Sequence, residues 1–286
     1  MKTTLTNSIL FLFIILLVGT SSFAAKLEKV KSKDGVEIAY EVNGTGEPAL
    51  VFVHGWCLDK SIWEDQVKVF STKYKVITID MAGHGKSGAN RKNFTMRAFG
   101  EDIHSVVNKL KLDKVILIGH SMGGKMILEA ANLLGNKVIG LIGADTFQKF
   151  DAGESADRAE KFLWTFKDNF AGSTRSYVEA LFLETSDKAL VERTIEKMTS
   201  APQKIALDVL KNSYRYNSIE AVKNLLIPIV SINCDKFPVK LDENIKVAKI
   251  FKVKKMHNVG HFIMLEDPKR FNQLLEESIE EIVKKG

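Results

Sequence analysis

The amino-acid sequence predicts an α/β fold in which a mostly parallel β-sheet is covered by helices on both faces. Three observations support this prediction. Short, almost wholly apolar segments alternate along the chain with longer segments whose apolar residues recur at helical spacing. Most of the short segments lack the polar and apolar alternation that a sheet with one solvated face would show. Helical segments separate most of them, as the crossover connections of a parallel sheet require.

The predicted elements follow in chain order. A turn at Asp34 and Gly35 precedes an alternating strand, and the next strand is fully apolar and stops at His54. Thr95 is a suitable N-cap for a long amphipathic helix, and Asp267 with the proline after it opens the last helix. The predicted strands are residues 36–42, 49–53, 75–79, 115–118, 138–144, 227–233 and 249–253. The predicted core helices are residues 61–70, 95–110, 122–134 and 269–283.

A long helical segment interrupts this alternation. Residues 147–224 contain no convincing strand and are rich in charged and aromatic residues, Trp164 and Phe166 among them. Because ligands bind outside the carboxyl ends of the strands in open α/β sheets, we expect this segment to form a cap with an apolar pocket beneath it. A packed structural appendage is the alternative. The predicted domains are a signal peptide at 1–24, a core at 25–146 and 225–286, and the cap at 147–224.

The composition limits the classes of protein that the chain can represent. It has 286 residues, of which 45% are hydrophobic and 27% charged, which excludes a disordered or collagen-like protein. The formal net charge of +6 comes from dispersed basic residues, so we expect no nucleic-acid partner. Two cysteines are too few for a disulfide scaffold or a cysteine-based zinc site. No oligomeric state is indicated.

The first residues have the pattern of a secretory signal peptide. Lys2 precedes an apolar run at residues 9–18, and the small residues Ser22 and Ala24 suit cleavage after Ala24. The run is shorter than the roughly 20 residues of a membrane-spanning helix. We therefore expect a periplasmic or extracellular protein without stable membrane insertion after cleavage, an uncleaved anchor being the alternative. Export would permit a Cys57–Cys234 bridge, although two free buried thiols suit the sequence better.

The pattern G-x-S-x-G stands between a predicted strand and a predicted helix. It comprises Gly119, Ser121 and Gly123, with His120 and Met122 between them. In that setting Ser121 lies on a sharp turn with its hydroxyl exposed, and the glycines let neighbouring backbone pass close by. The helix that follows supplies a positive dipole end and free N–H groups for a developing oxyanion. The pattern thus predicts a nucleophilic serine rather than a structural one.

With this motif the chain resembles the α/β-hydrolase-fold superfamily, and in particular its esterase-like serine hydrolases with a helical lid. The resemblance covers nearly all of the chain after residue 24. It implies that the cap follows the sixth strand of the fold. It also implies that the loop at His54, Gly55 and Trp56 is the oxyanion loop, with the N–H groups of Trp56 and Met122 holding the oxyanion. The D-x-x-G-x-G-x-S stretch at 80–87 resembles a structural loop of the same family.

His261 is the predicted general base, because it follows the last predicted strand and comes after Ser121 in the chain, as in the family. The acid is less clear, since Phe237 stands where many relatives carry it. Asp145 ends the strand expected to neighbour the one that delivers Ser121, and Asp235 lies two residues before Phe237. We favour Asp145 and keep Asp235 as the alternative.

These features predict a serine hydrolase of small to medium carboxylic esters that works through an acyl-enzyme on Ser121, with a lactone or a thioester as an alternative substrate. The predicted partner is a small ester-like molecule, and no metal or organic cofactor is implied. Carbon–carbon bond hydrolysis or cofactor-free perhydrolysis on the same residues is an alternative. A ligand-binding or sensing protein of the same fold with low turnover is another.

Overall fold

A central eight-stranded sheet organises the protein. The computed structural model describes residues 26–284, so the predicted signal peptide lies outside the described residues. None of the described helices is long and apolar enough to span a membrane. The strands are β1 (Lys26–Lys31), β2 (Glu37–Asn43), β3 (Ala49–Val53), β4 (Val76–Asp80), β5 (Val115–His120), β6 (Val138–Ala144), β7 (Ile229–Cys234) and β8 (Phe251–Met256).

The strand order is β1-β2-β4-β3-β5-β6-β7-β8. β2 pairs antiparallel with β1 and β4, and all the other pairs are parallel. Every residue of β3, β4, β5 and β7 is buried, which is why these strands consist mainly of apolar residues. The predicted mostly parallel sheet is therefore confirmed. β5, β6 and β7 are neighbours, so their carboxyl ends meet at one edge.

Helices cover this sheet and also fill the interval between β6 and β7. Thr95 caps α2 as predicted, because its hydroxyl accepts from the Ala98 N–H at 3.1 Å. The helices are α1 (Glu64–Phe70), α2 (Met96–Lys109), α3 (Gly123–Leu134), α4 (Ala156–Lys167), α5 (Phe170–Leu181), α6 (Lys188–Thr199), α7 (Gln203–Tyr214), α8 (Ser218–Val222), α9 (Leu241–Val247), α10 (Ile263–Glu266) and α11 (Pro268–Val283). Helices α4 to α8 occupy the interval predicted as the cap.

Some elements differ from the predictions. The helix predicted at 61–70 is a 3₁₀ turn at Lys60–Trp63 followed by α1, and Asp59 caps that turn through the Ser61 N–H. β1 and α9 were not predicted, because β1 is mostly exposed and rich in lysine, α9 is short, and neither carries much apolar periodicity. β7 begins two residues later than predicted, after Pro228, which has no N–H to donate to a ladder.

We call residues 147–224, the segment predicted as a cap, the cap; it is held on the rest of the protein by apolar and polar contacts. In one of the polar contacts, the Lys197 ammonium of α6 lies 2.6 Å from a carboxylate oxygen of Asp59, in the loop after β3. The Lys125 ammonium of α3 donates to the carbonyl of Ser213 in α7 at 2.7 Å. Cys57 and Cys234 are both free and buried, which is the favoured alternative from the sequence.

Candidate active site

Ser121 lies on a tight turn between β5 and α3. Its φ of 53° is in the left-handed region, which few residues other than glycine adopt. The Ser121 N–H donates to the Ala144 carbonyl at 3.0 Å, which ties the turn to the end of β6. A Cβ at Gly119 would lie 2.6 Å from the Gly123 carbonyl oxygen, and one at Gly123 would lie 2.7 Å from the Val53 oxygen. Only glycine fits at these two positions, as the motif predicted.

The loop after β3 passes directly beside this turn. A Cβ at Gly55 would lie 3.2 Å from the Ser121 Cβ. His54 fixes the loop: its Nε2 accepts from the Met81 N–H at 3.0 Å, so Nδ1 carries the proton and donates to the Gly55 carbonyl at 2.8 Å. Burial lowers the pKa of His54, which keeps its imidazole neutral.

The two groups expected to hold an oxyanion are the backbone N–H groups of Trp56 and Met122. Within residues 26–284, neither donates a hydrogen bond to a protein acceptor. Met122 directly precedes α3, so its N–H also lies at the positive end of that helix. Both groups are thus available to a ligand beside Ser121.

Asp145 and His261 meet at the carboxyl edge of the sheet. The Nδ1 of His261 and the Oδ2 of Asp145 are 2.5 Å apart, and both side chains are largely or fully buried. The other carboxylate oxygen of Asp145 accepts from the Cys234 N–H at 3.0 Å. Both oxygens of Asp145 therefore accept hydrogen bonds. Because the carboxylate holds the proton of His261 on Nδ1, Nε2 is the unprotonated nitrogen of the neutral ring.

The alternative acid lies elsewhere. Asp235 is half exposed and its Oδ2 lies 2.9 Å from Nδ1 of His257, whose side chain is 68% exposed. This hydrogen bond lowers the pKa of Asp235. Phe237, which stands at the usual acid position, packs edge-on against the His261 ring at a centroid distance of 6.0 Å. The structure thus brings Asp145 to His261 and keeps Asp235 at the surface.

An aromatic wall from the cap borders the loop predicted to hold the oxyanion. The Trp56 ring contacts Phe166 of α4 and both Phe170 and Tyr177 of α5, with centroid distances of 5.6, 6.2 and 5.9 Å. Trp164 does not belong to this wall. Its side chain is 60% exposed, with the Lys167 ammonium 4.4 Å from the ring centroid. Phe166 therefore lies in this wall, whereas Trp164 projects from the outer side of α4.

Sequence reasoning missed the residues that hold the loop carrying His261. Leu181 and Ser186 of the cap and Glu266 of α10 all form hydrogen bonds to that loop or to each other. Their separation of about 80 residues in the chain leaves no local pattern that would have joined them. The signal that the sequence did offer was the carboxylate of Glu266, which follows the predicted base His261 closely in the chain.

The chain belongs to the alpha/beta hydrolase fold family, whose model matches residues 48–207. It is similar to a non-heme chloroperoxidase of Kitasatospora aureofaciens, with 40% identity over 94 residues. That match covers 32% of this chain and about a third of the relative's length, 34%. It is also similar to 3-oxoadipate enol-lactonase 1 of Acinetobacter baylyi, with 22% identity over 255 residues, covering 86% of this chain and 94% of the lactonase.

A solved structure confirms the fold over almost the whole chain. A thermophilic esterase from Thermogutta terrifontis matches with a TM-score of 0.79 and 23% identity, covering 90% of this chain and 99% of the esterase. The predicted α/β-hydrolase fold is therefore confirmed.

Proposed function

We propose that this protein hydrolyses small to medium carboxylic esters, including lactones and thioesters, with Ser121 as nucleophile, His261 as general base and Asp145 as the acid. One observation carries the proposal. A fully buried carboxylate lies 2.5 Å from the imidazole Nδ1 of His261, at the sheet edge where the strained Ser121 turn also lies. A nucleophile, a base and an orienting carboxylate in this order are what acyl transfer requires.

The first half of the reaction forms an ester on the enzyme. The Ser121 Oγ attacks the acyl carbonyl carbon while Nε2 of His261 takes the hydroxyl proton. The carbonyl π bond opens to an oxyanion, which accepts hydrogen bonds from the N–H groups of Trp56 and Met122. The bond to the leaving alcohol then breaks, and His261 returns the proton to that alcohol. Asp145 stabilises the imidazolium that exists between these two transfers.

Water completes the second half. His261 takes a proton from a water molecule as its oxygen attacks the acyl carbon, and the Ser121 Oγ leaves with the proton from His261. The products are the carboxylic acid and the free serine. The same steps open a lactone, for which the alcohol and the acid are parts of one molecule.

The cap supports a preference for apolar groups on the substrate. Phe166, Phe170 and Tyr177 pack against Trp56, whose own N–H is one of the two proposed oxyanion donors. A substrate carbonyl at those donors therefore lies beside an aromatic wall. The similarity to an enol-lactonase over 94% of that relative supports the inclusion of lactones.

A fluorophosphonate probe and an ester panel test the proposal together. We expect stoichiometric labelling of Ser121, located by peptide mass spectrometry, and turnover of 4-nitrophenyl esters from acetate to longer acyl chains. Labelling without turnover of any ester or lactone would favour another acyl substrate. A correctly folded protein that takes up no label would contradict the proposal and favour the ligand-binding alternative.

A further inference from the structure

The backbone of His261 is held from two directions. Its N–H donates to the carbonyl of Leu181, the last residue of α5, at 2.9 Å. Its carbonyl accepts from Nε2 of His120 at 3.1 Å, and the two imidazole rings lie 4.7 Å apart. One peptide group of the proposed base is thus fixed by the cap and the other by the residue before the nucleophile.

Glu266 closes the loop around the base. The Gly260 N–H lies 3.0 Å from each of its carboxylate oxygens, and the Phe262 N–H donates to one of them at 3.3 Å. The two residues that flank His261 are therefore bound by a single carboxylate. Hydrogen bonds to an ionised acceptor are roughly twice as strong as those between neutral groups.

The same carboxylate reaches the cap. We call residues 181–186, which begin at the last residue of α5, the cap corner. The Ser186 hydroxyl donates to Glu266 at 2.7 Å and accepts from the Leu183 N–H at 3.1 Å. Ser186 therefore connects the Glu266 carboxylate to the backbone of the cap corner. Phe182 stacks on Phe262 with ring centroids 4.7 Å apart. The loop carrying His261 thus rests on the cap corner through both polar and aromatic contacts.

The packing at this joint leaves little freedom. A Cβ at Gly260 would lie 2.5 Å from the Leu181 carbonyl oxygen and 3.0 Å from a Glu266 carboxylate oxygen. Backbone of the loop therefore touches the cap corner directly, and a shift of the corner moves the loop with it.

We propose that Glu266 is a positioning residue that ties His261 to the cap corner, so that the cap sets the position of the base as well as the shape of the pocket. The inference rests on the proposed function for its effect on turnover. A catalytic group displaced by about 1 Å loses on the order of a hundredfold in rate. Without Glu266, the N–H groups of Gly260 and Phe262 lose their common acceptor, and the loop loses its polar link to Ser186.

The first measurement compares kcat and KM of four variants. Glu266→Ala is expected to lower kcat on a small ester by about a hundredfold, with KM within about threefold of wild type. Glu266→Gln keeps one acceptor oxygen, and Ser186→Ala removes the hydrogen bond to Glu266 and the acceptor of the Leu183 N–H but leaves Glu266 on the loop, so each is expected to lose less. Asp267→Ala is the matched control, because Asp267 caps α11 through the Arg270 N–H and its side chain forms no hydrogen bond to the loop within the described chain. Its melting temperature is expected to fall while kcat stays at the wild-type value.

The second measurement needs no substrate. The proton shared by His261 and Asp145 is expected to give a far-downfield resonance in the NMR spectrum, because the two atoms are 2.5 Å apart. In Glu266→Ala and Ser186→Ala that resonance is expected to shift and broaden, whereas in Asp267→Ala it stays as in wild type. If Glu266→Ala fails to fold, Glu266→Gln and Ser186→Ala supply the comparison.

The outcomes separate the two proposals. If wild type hydrolyses no ester, the proposed function fails, and the resonance alone decides whether Glu266 positions the base. If the Glu266 and Ser186 variants keep both the resonance and kcat of the Asp267→Ala control, the positioning role is overturned. A rise in KM alone, with kcat and the resonance unchanged, would also overturn it.

Discussion

Replacing Asp145 by asparagine isolates the charge that faces His261. The side chain is fully buried, so no water can substitute for the lost carboxylate oxygen. The introduced amide could keep the bond from the Cys234 N–H on its carbonyl oxygen, which would leave its N–H₂ group facing Nδ1 of His261. The imidazole would then carry its proton on Nε2, where it cannot accept the proton of Ser121.

The magnitude follows from these contacts. A hydrogen bond to a charged group contributes about 1.5 to 3 kcal/mol, which corresponds to about 10- to 150-fold in rate. The wrong tautomer adds to this loss, so we expect kcat of Asp145→Asn to fall by about 10² to 10⁴. KM should change little, because the Asp145 side chain is fully buried and both of its oxygens contact protein groups.

Asp235→Asn is the matched control in the assay. Its carboxylate is half exposed and pairs with the exposed His257, so kcat is expected to stay within about twofold of wild type. Initial rates on one small 4-nitrophenyl ester, with circular dichroism as a check of folding, measure both variants. An Asp145→Asn enzyme with near-wild-type kcat, or an Asp235→Asn enzyme that is the more damaged of the two, would refute the assignment.

Three further predictions use the same preparations. Ser121→Ala should lower kcat by on the order of a million-fold while the melting temperature stays near wild type, and a folded variant that still turns over would contradict the mechanism. Phe166→Ala should shift the preferred acyl length, whereas Trp164→Ala, which alters an exposed side chain, should not; equal loss on every ester would indicate a structural cap. Burial alone would raise the pKa of Asp59, but hydrogen bonds from Lys197 and from Ser61 lower it to about 2. A lowered carboxyl pKa stabilises the fold above the unfolded value of about 4, and this contribution is lost as the pH falls through about 2. After a discount for solvent screening, Asp59→Asn should therefore cost about 1 kcal/mol in urea unfolding at pH 7, and the difference from wild type should shrink between pH 4 and pH 2. If the difference in unfolding free energy between Asp59→Asn and wild type does not change with pH, the ion pair with Lys197 is not its cause.

The parts of the site that a local pattern encodes could be predicted from the sequence. The turn at Ser121 needs glycine at 119 and 123 because of steric contacts within a few residues, and those glycines are visible in the chain. The adjacency of β5 and β6 also follows from their order, which is why Asp145 was expected near Ser121.

Contacts between distant segments could not be predicted in the same way. The choice between Asp145 and Asp235 depends on how the loops after β6 and β7 bend, and Asp145 is 116 residues from His261 in the chain. The outward direction of Trp164 depends on how α4 packs. Amphipathic patterning does not distinguish an aromatic residue of the wall from an exposed one whose ring lies under the Lys167 ammonium. The link from Glu266 to Ser186 requires the cap and the last helices to be placed together.

The joint between the cap corner and the proposed base limits how new specificities can arise in this protein. If an inserted segment met the core only at its two ends, recombination could exchange it without moving the proposed catalytic residues. Here the carbonyl of Leu181 and the hydroxyl of Ser186, well inside the insertion, bind the loop of the base. Exchange of the whole insertion would leave the N–H of His261 without an acceptor, so a viable chimera must replace the helices on either side of residues 181–186 and inherit the corner itself.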